Sequence, residues 1–187
     1  VPLQICKKQL AVMDSSAGRS SDGKRYLVTN TGYANAGTGV GGYKNSLAVC
    51  EQLAKITNVK TENVLPYSTG VIGERLPVET INGALERCLD NLSEQGWIDA
   101  AHGIMTTDTR PKGSSTSFMV GDKKVSITGI SKGSGMIMRN MATMLAYVAT
   151  DVGLSPLLAD KLLKEAAELS FKQEKVDGKT TTPSLIH

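Results

Sequence analysis

The spacing of apolar residues changes period several times along the chain, and each change marks an expected element. Over 76–92 the residues Val78, Ile81, Leu85, Cys88, Leu89 and Leu92 recur at i, i+3, i+4 and i+7, which predicts an amphipathic helix. Its Gly83 costs about 1 kcal/mol relative to alanine, so packing must compensate. The same period puts Leu47, Cys50, Leu53 and Ala54 on one face of a helix over about 43–56. A short helix is expected over 97–104, and two more over 140–151 and 155–171, the last with Ser155 and Pro156 in N-cap and N1 positions.

Strand signals interleave with these helices. "RYLVTN" over 25–30 has aromatic and β-branched content and leads into the small-residue loop "TGYANAGTGVGG". "ENVLPYSTGVIG" reads as a short strand ending at Pro66 and then a second glycine-bounded loop. "SFMVGDKKVSITGI" alternates on both sides of Gly121 and Asp122, a hairpin signature. "VPLQICKKQLAVMD" is apolar at both ends but carries no clear element signal, and a polar glycine and serine loop follows it. Strands and helices mix without strict alternation, which predicts an α+β layered sandwich instead of a doubly wound parallel sheet.

At 187 residues the chain suits one ordinary domain or part of a larger one. Hydrophobic residues at 40% and charged residues at 21% fit a globular protein and argue against disorder. No apolar run reaches the length needed to span a bilayer and no signal-peptide order is visible, so no membrane partner is expected and the cytoplasm is the expected compartment. The net charge of +3 comes from lysines and arginines interleaved with acids, which excludes a nucleic-acid stripe. Cys6, Cys50 and Cys88 are odd in number and lack CxxC spacing, so neither a disulfide framework nor a zinc site is expected. Cys50 and Cys88 fall on apolar helix faces and read as small core residues.

Common catalytic motifs fit poorly. "GTGVGG" formally satisfies G-x-G-x-x-G, yet "TGYANA" separates it from its strand and Glu62 precedes the next strand, so tight turns and packing explain its glycines better than a dinucleotide. A Walker A loop fails because Tyr43 separates Gly42 from Lys44 and Asn45 follows. His102 lies on an expected helix and His187 is the last residue, so no serine triad is supported. What remains are four loops rich in small and hydroxyl residues: "NTGYANAGTG", "PYSTGVIG", "MTTDTRPK" and "SKGSGM". Such loops supply N–H groups, a hydroxyl and a lysine suited to acyl transfer, but no nucleophile with a base beside it.

"STGVIGERLPVE", "HGIMTTDTRPK", "GISKGSGMI" and "NMATMLAYVATD", in this order, closely resemble the glutamate N-acetyltransferase family of arginine biosynthesis, also called ornithine acetyltransferases. The resemblance implies an α/β/β/α-type sandwich and a precursor that cuts itself between Ala142 and Thr143. Residues 1–142 are then the α-chain portion and 143–187 the start of the β-chain portion of one self-processing unit. Thr143 is implied as the nucleophile, its freed α-amine, of unperturbed pKa about 8, serving as base. Thr69 and Gly70 match the oxyanion-hole pair, Lys132 the substrate-binding lysine, and Thr106 the substrate-contacting threonine, with Thr107 the alternative.

The implied cycle takes acetyl from N-acetylornithine onto Thr143, releases ornithine, and passes the acetyl group to glutamate. Some members also use acetyl-CoA as donor. Neither metal nor tightly bound cofactor is implied, and members assemble as heterotetramers of two α and two β chains. Family members run to about twice this length, so the chain is expected to be part of a longer protein. Tyr33 stands where the family usually has asparagine, and Arg139 where it has proline. Two other readings stay open: a related self-processing amidohydrolase or aminopeptidase with water as acceptor, and an uncleaved, non-catalytic binding homologue.

Overall fold

The computed structural model describes residues 1–14, 23–133, 144–169, 175–176 and 179–180. They divide into two units, Val1–Ser93 and the residues from Glu94 onward. In the first unit the order is α1 (Pro2–Asp14), β1 (Tyr26–Tyr33), α2 (Gly39–Thr57), a 3-10 turn (Thr61–Asn63), β2 (Val64–Val71) and α3 (Val78–Asp90). β1 and β2 pair in parallel, from Tyr26 opposite Val64 to Tyr33 opposite Val71. A parallel pair needs a long crossover, and α2 supplies it.

The core of this unit joins Cys50, Leu53 and Ala54 of α2 to Val64 of β2 and Leu85 of α3. α2 stops because Asn58 adopts a left-handed φ of 55°, so that its N–H reaches the Lys55 carbonyl at 3.4 Å and the Val59 N–H reaches that of Ala54 at 3.0 Å. Val59 then packs onto the core it has just been turned toward. α1, for which the sequence carries no clear signal, is tied to β2 and to the 3-10 turn before it by side chains. The Cys6 thiol donates to the Pro66 carbonyl at 3.2 Å, and the Gln9 amide to that of Thr61 at 3.0 Å.

Several expectations need correction here. β2 does not end at Pro66 but runs on to Val71, and β1 extends three residues past Asn30. Proline is compatible with a strand that need not donate there, and the small residues that look like loop formers pair backbone to backbone. α2 begins at Gly39, inside the glycine-rich loop. α3 ends at Asp90, leaving Leu92 outside it and 69% exposed. Cys88 is exposed, not core: only Leu85 of α3 is fully buried, so the apolar stripe is narrower than its periodicity suggests.

The second unit contains α4 (Trp97–Gly103), β3 (Lys112–Val120), β4 (Lys123–Lys132), β5 (Leu145–Thr150), α5 (Pro156–Leu169) and a two-residue pair, β6 (Lys175–Val176) with β7 (Lys179–Thr180). β3, β4 and β5 form an antiparallel sheet in that order. The expected hairpin turns at Gly121, whose φ of 59° needs glycine. Ala101 and Ile104 pack on Ile130 of β4, flanked by Trp97 and Tyr147. Ser155 accepts the Leu158 N–H at 3.3 Å, as an N-cap should.

The helix expected over 140–151 is replaced, in its described part, by β5. A short apolar run cannot be assigned by periodicity alone, and here the ladder from Leu145 opposite Lys132 to Thr150 opposite Ile127 decides for a strand. The chain is thus α+β, with a parallel pair in one unit and an antiparallel sheet in the other.

Burial pushes the thiols of Cys6 and Cys50 up to about 11 and about 12 respectively, whereas Cys88 is exposed. Thiolate is the reactive form. Titration of the folded protein with a disulfide reagent should therefore consume one thiol rapidly, at Cys88, and the other two only on unfolding; fast labelling of all three would contradict the packing of α1 on β2.

Candidate active site

Thr69 and Gly70 lie on β2, opposite Thr31 and Gly32 of β1. Gly70 has a φ of 129°, and a Cβ there would run into the backbone of Gly32, so only glycine fits. The two strands stay zipped beyond their ends: the Ala34 N–H reaches the Val71 carbonyl at 2.9 Å and the Gly73 N–H that of Ala36 at 2.8 Å. Thr69 is 7% exposed, and its hydroxyl takes no partner among the described residues. Near the end of β2 a buried threonine hydroxyl thus stands beside a half-buried glycine, the two donor types an oxyanion needs.

In "GTGVGG" Gly37 and Gly39 take φ of 72° and 59°, and Gly42 is required by packing. Asn35, fully buried at a φ of 48°, donates from its amide nitrogen to the Gly42 carbonyl at 3.0 Å and accepts the Thr38 hydroxyl at 2.7 Å. A Cβ on Gly42 would collide with both side chains. Tyr33 closes β1 opposite Val71. His102 sits exposed on α4, as a surface histidine.

In the second unit the last residue of β4, Lys132, is only 5% exposed. Its ammonium donates to the Thr106 hydroxyl at 3.3 Å, joining residues 26 apart in sequence. The hydroxyl that Lys132 reaches is that of Thr106, which is exposed like its neighbour Thr107. Burial holds the Lys132 pKa below its ordinary 10.5; the Asp108 carboxylate acts against that shift and the Lys112 ammonium with it. A buried cation whose partner is a neutral hydroxyl favours an incoming carboxylate.

Asp108 and Lys112 belong to "MTTDTRPK", which by composition is only a loop rich in small and hydroxyl residues. The Asp108 side chain is 1% exposed. It accepts the Gly133 N–H at 2.9 Å, the Thr106 N–H at 3.4 Å and the Lys112 ammonium at 3.4 Å. Lys112 in turn donates to the Gly133 carbonyl at 2.6 Å. The i, i+4 spacing of acid and lysine within "DTRPK" was the available signal. Ala142, Thr143 and Arg139 lie outside the described residues; Met144, the next in sequence after Thr143, is buried and packs against Gly133.

A family model described as the ArgJ family matches residues 1–186. The chain belongs to the ArgJ family. It is 54% identical over 158 residues to the arginine biosynthesis bifunctional protein ArgJ of Pseudomonas syringae pv. tomato, covering 84% of this chain and 39% of that protein. It is 48% identical over 183 residues to the ArgJ protein of the same description from Colwellia psychrerythraea, covering 97% and 43%. The chain thus spans about two fifths of the length of these curated ArgJ relatives. Among solved structures it is similar to the ArgJ protein of Bacillus halodurans, with a TM-score of 0.61 at 30% identity over 77% of this chain and 70% of that one. It is also similar to ornithine acetyltransferase of Mycobacterium tuberculosis, solved with ornithine, with a TM-score of 0.55 at 25% identity over 73% of this chain and 68% of that one. Among the described residues no helix is long and apolar enough to cross a membrane.

Two predictions test this geometry. Gly70→Ala must strain a left-handed φ and displace the Gly32 backbone, so it should lower stability by about 2 kcal/mol or more in denaturant unfolding; an unchanged midpoint would contradict the close approach. For Asp108, burial pushes the carboxyl up, but the N–H groups of Gly133 and Thr106 and the Lys112 ammonium outweigh it and hold the pKa below 3.8. Its stabilisation is therefore complete above pH 3.8 and lost as pH falls through the lower folded-state value. Asp108→Asn should be less stable than wild type near neutrality, with the gap closing in acid below that point. A gap independent of pH would show that the charge is not what stabilises.

Proposed function

We propose that this chain is the part of an acetyltransferase of arginine biosynthesis that carries its nucleophile, Thr143, and moves acetyl from N-acetylornithine to glutamate. The observation that carries this reading is the ArgJ family match over 1–186, which runs through every residue given a role. The ornithine bound to the Mycobacterium tuberculosis relative supports the substrate class. The buried Lys132 beside Thr106 suits an amino-acid carboxylate.

In the first phase the Thr143 hydroxyl attacks the Ala142 carbonyl carbon, the peptide nitrogen leaves as the α-amine of Thr143, and water hydrolyses the resulting ester. The cut yields a carboxylate at Ala142 and a threonine that carries its own base. In the second phase that amine takes the hydroxyl proton while the oxygen attacks the acetyl carbonyl of N-acetylornithine. The developing oxyanion is assigned to the Thr69 hydroxyl and the Gly70 N–H, each donor contributing about 3 to 4 kcal/mol at the transition state. Ornithine leaves as the amine after taking a proton, and the amine of glutamate then attacks the acetyl-threonine ester. Lys132 and Thr106 hold the substrate carboxylate.

Acetyl-CoA as a second acetyl donor, a heterotetramer of two α and two β chains, and residence in the cytoplasm belong to the same proposal. The word "bifunctional" in the relatives' names supports the second donor.

The deciding measurement is the intact mass of the full-length protein and of its Thr143→Ala variant. Two fragments that sum to the precursor, the second beginning at Thr143, are expected for wild type, with the variant remaining whole. An uncleaved wild type that still binds ornithine would remove the nucleophile and leave a binding homologue.

A further inference from the structure

Resting on the acetyltransferase reading, the geometry points to Asp108 as a positioning residue. With Lys112 it clamps Gly133 and the Thr106 loop together, so that Lys132 and Thr106 meet the substrate as one preset pair. The clamp grips a single residue, Gly133, by both of its backbone polar groups. Asp108 takes the Gly133 N–H at 2.9 Å, which fixes the peptide plane joining Gly133 to Lys132. Lys112 donates to the Gly133 carbonyl at 2.6 Å and to the Asp108 carboxylate at 3.4 Å, closing the ring. The other carboxylate oxygen takes the Thr106 N–H at 3.4 Å. One carboxylate is thereby bonded to the backbone of both residues whose side chains meet 3.3 Å apart, directly at Thr106 and through the adjoining peptide at Lys132.

Asp108 is unsuited to touch the substrate itself. Its side chain is 1% exposed, its oxygens are already engaged, and a carboxylate repels the carboxylates of ornithine and glutamate. It acts through others. Gly133 explains why the grip has to be on the backbone: its φ of 152° is one that side chains rarely adopt, and a Cβ there would press on Met144 at 3.2 Å. The clamped residue also abuts Met144, which follows Thr143 in sequence, so the same clamp seats the start of β5. A site fixed before the substrate arrives binds without having to order its own loop.

The test uses the full-length protein as wild type, Asp108→Asn, Lys112→Met and the double variant, assayed for acetyl transfer from N-acetylornithine with glutamate in excess. Intact mass reports the cleaved fraction, and rates are expressed per cleaved chain. Asp108→Asn should raise KM for N-acetylornithine about tenfold while kcat stays within about threefold, the signature of lost substrate positioning. Lys112→Met, at a side chain 34% exposed and thus tolerant of change, should shift KM in the same direction. The double variant should be no worse than the worse single variant, since the two residues close one ring.

Unchanged KM in both single variants, or effects that multiply in the double variant, would overturn the clamp while leaving the acetyltransferase reading intact. Should Asp108→Asn fail to fold, the KM of Lys112→Met decides alone. A wild type that transfers no acetyl group removes the proposed function, and the clamp with it.

Discussion

An ammonium taken out of water has to be compensated by its surroundings, and in the second unit much of the local architecture answers to that demand. Lys132 ends β4 at 5% exposure with a hydroxyl as its hydrogen-bond partner. The charge that offsets it belongs to Asp108, which does not form a direct ion pair with it among the described contacts but acts to raise its pKa. Had the carboxylate paired with Lys132 directly, the cation would be neutralised and of little use to a ligand. Engaging the acid with Lys112 and two N–H groups keeps it near and leaves Lys132 available. The sheet then holds the strand carrying the cation, through β3 on one side and β5 on the other.

The first unit meets a different constraint, close approach of two backbones. The donor role proposed for Thr69 and Gly70 asks for a rigid strand end, and rigidity there comes from the pairing of Gly70 with Gly32 and from the bonds that continue past both strands. Side chains would hold the strands apart at that point. Small residues therefore serve geometry in this unit, while in the second unit charge does the equivalent work.

Much of this was readable in the residues. The helices around Leu53 and Leu85, the hairpin at Gly121 and the Ser155 cap follow from periodicity and turn chemistry and are found where expected. The strands that periodicity misplaces are short segments whose structure is set by a partner distant in sequence. β2 past Pro66 is a strand because β1 lies alongside, and β5 is a strand because β4 does. Cys88 has the right spacing for the core but nothing covers its side of α3 among the described residues. Of the site, Thr69, Gly70, Thr106 and Lys132 were named through the family resemblance, and the joining of Lys132 to Thr106 appears only in the fold. Asp108 and Lys112 carry one local sign, their i, i+4 spacing, but the Gly133 backbone they bond lies 25 and 21 residues away, which no local pattern encodes.

The crossover in the first unit has a kinetic side. Tyr26 and Val64 begin the parallel pair but stand far apart in the chain, so their meeting carries a loop-closure entropy that no local contact offsets. α2 can form within the intervening segment on its own, since its hydrogen bonds and its Asn58–Val59 terminus are local. Once formed, it shortens the effective span and delivers Val64 to the apolar face built by Cys50, Leu53 and Ala54. Docking of β2 onto β1 thus closes a smaller effective loop, and the helix end at Asn58 sets where the chain turns toward it.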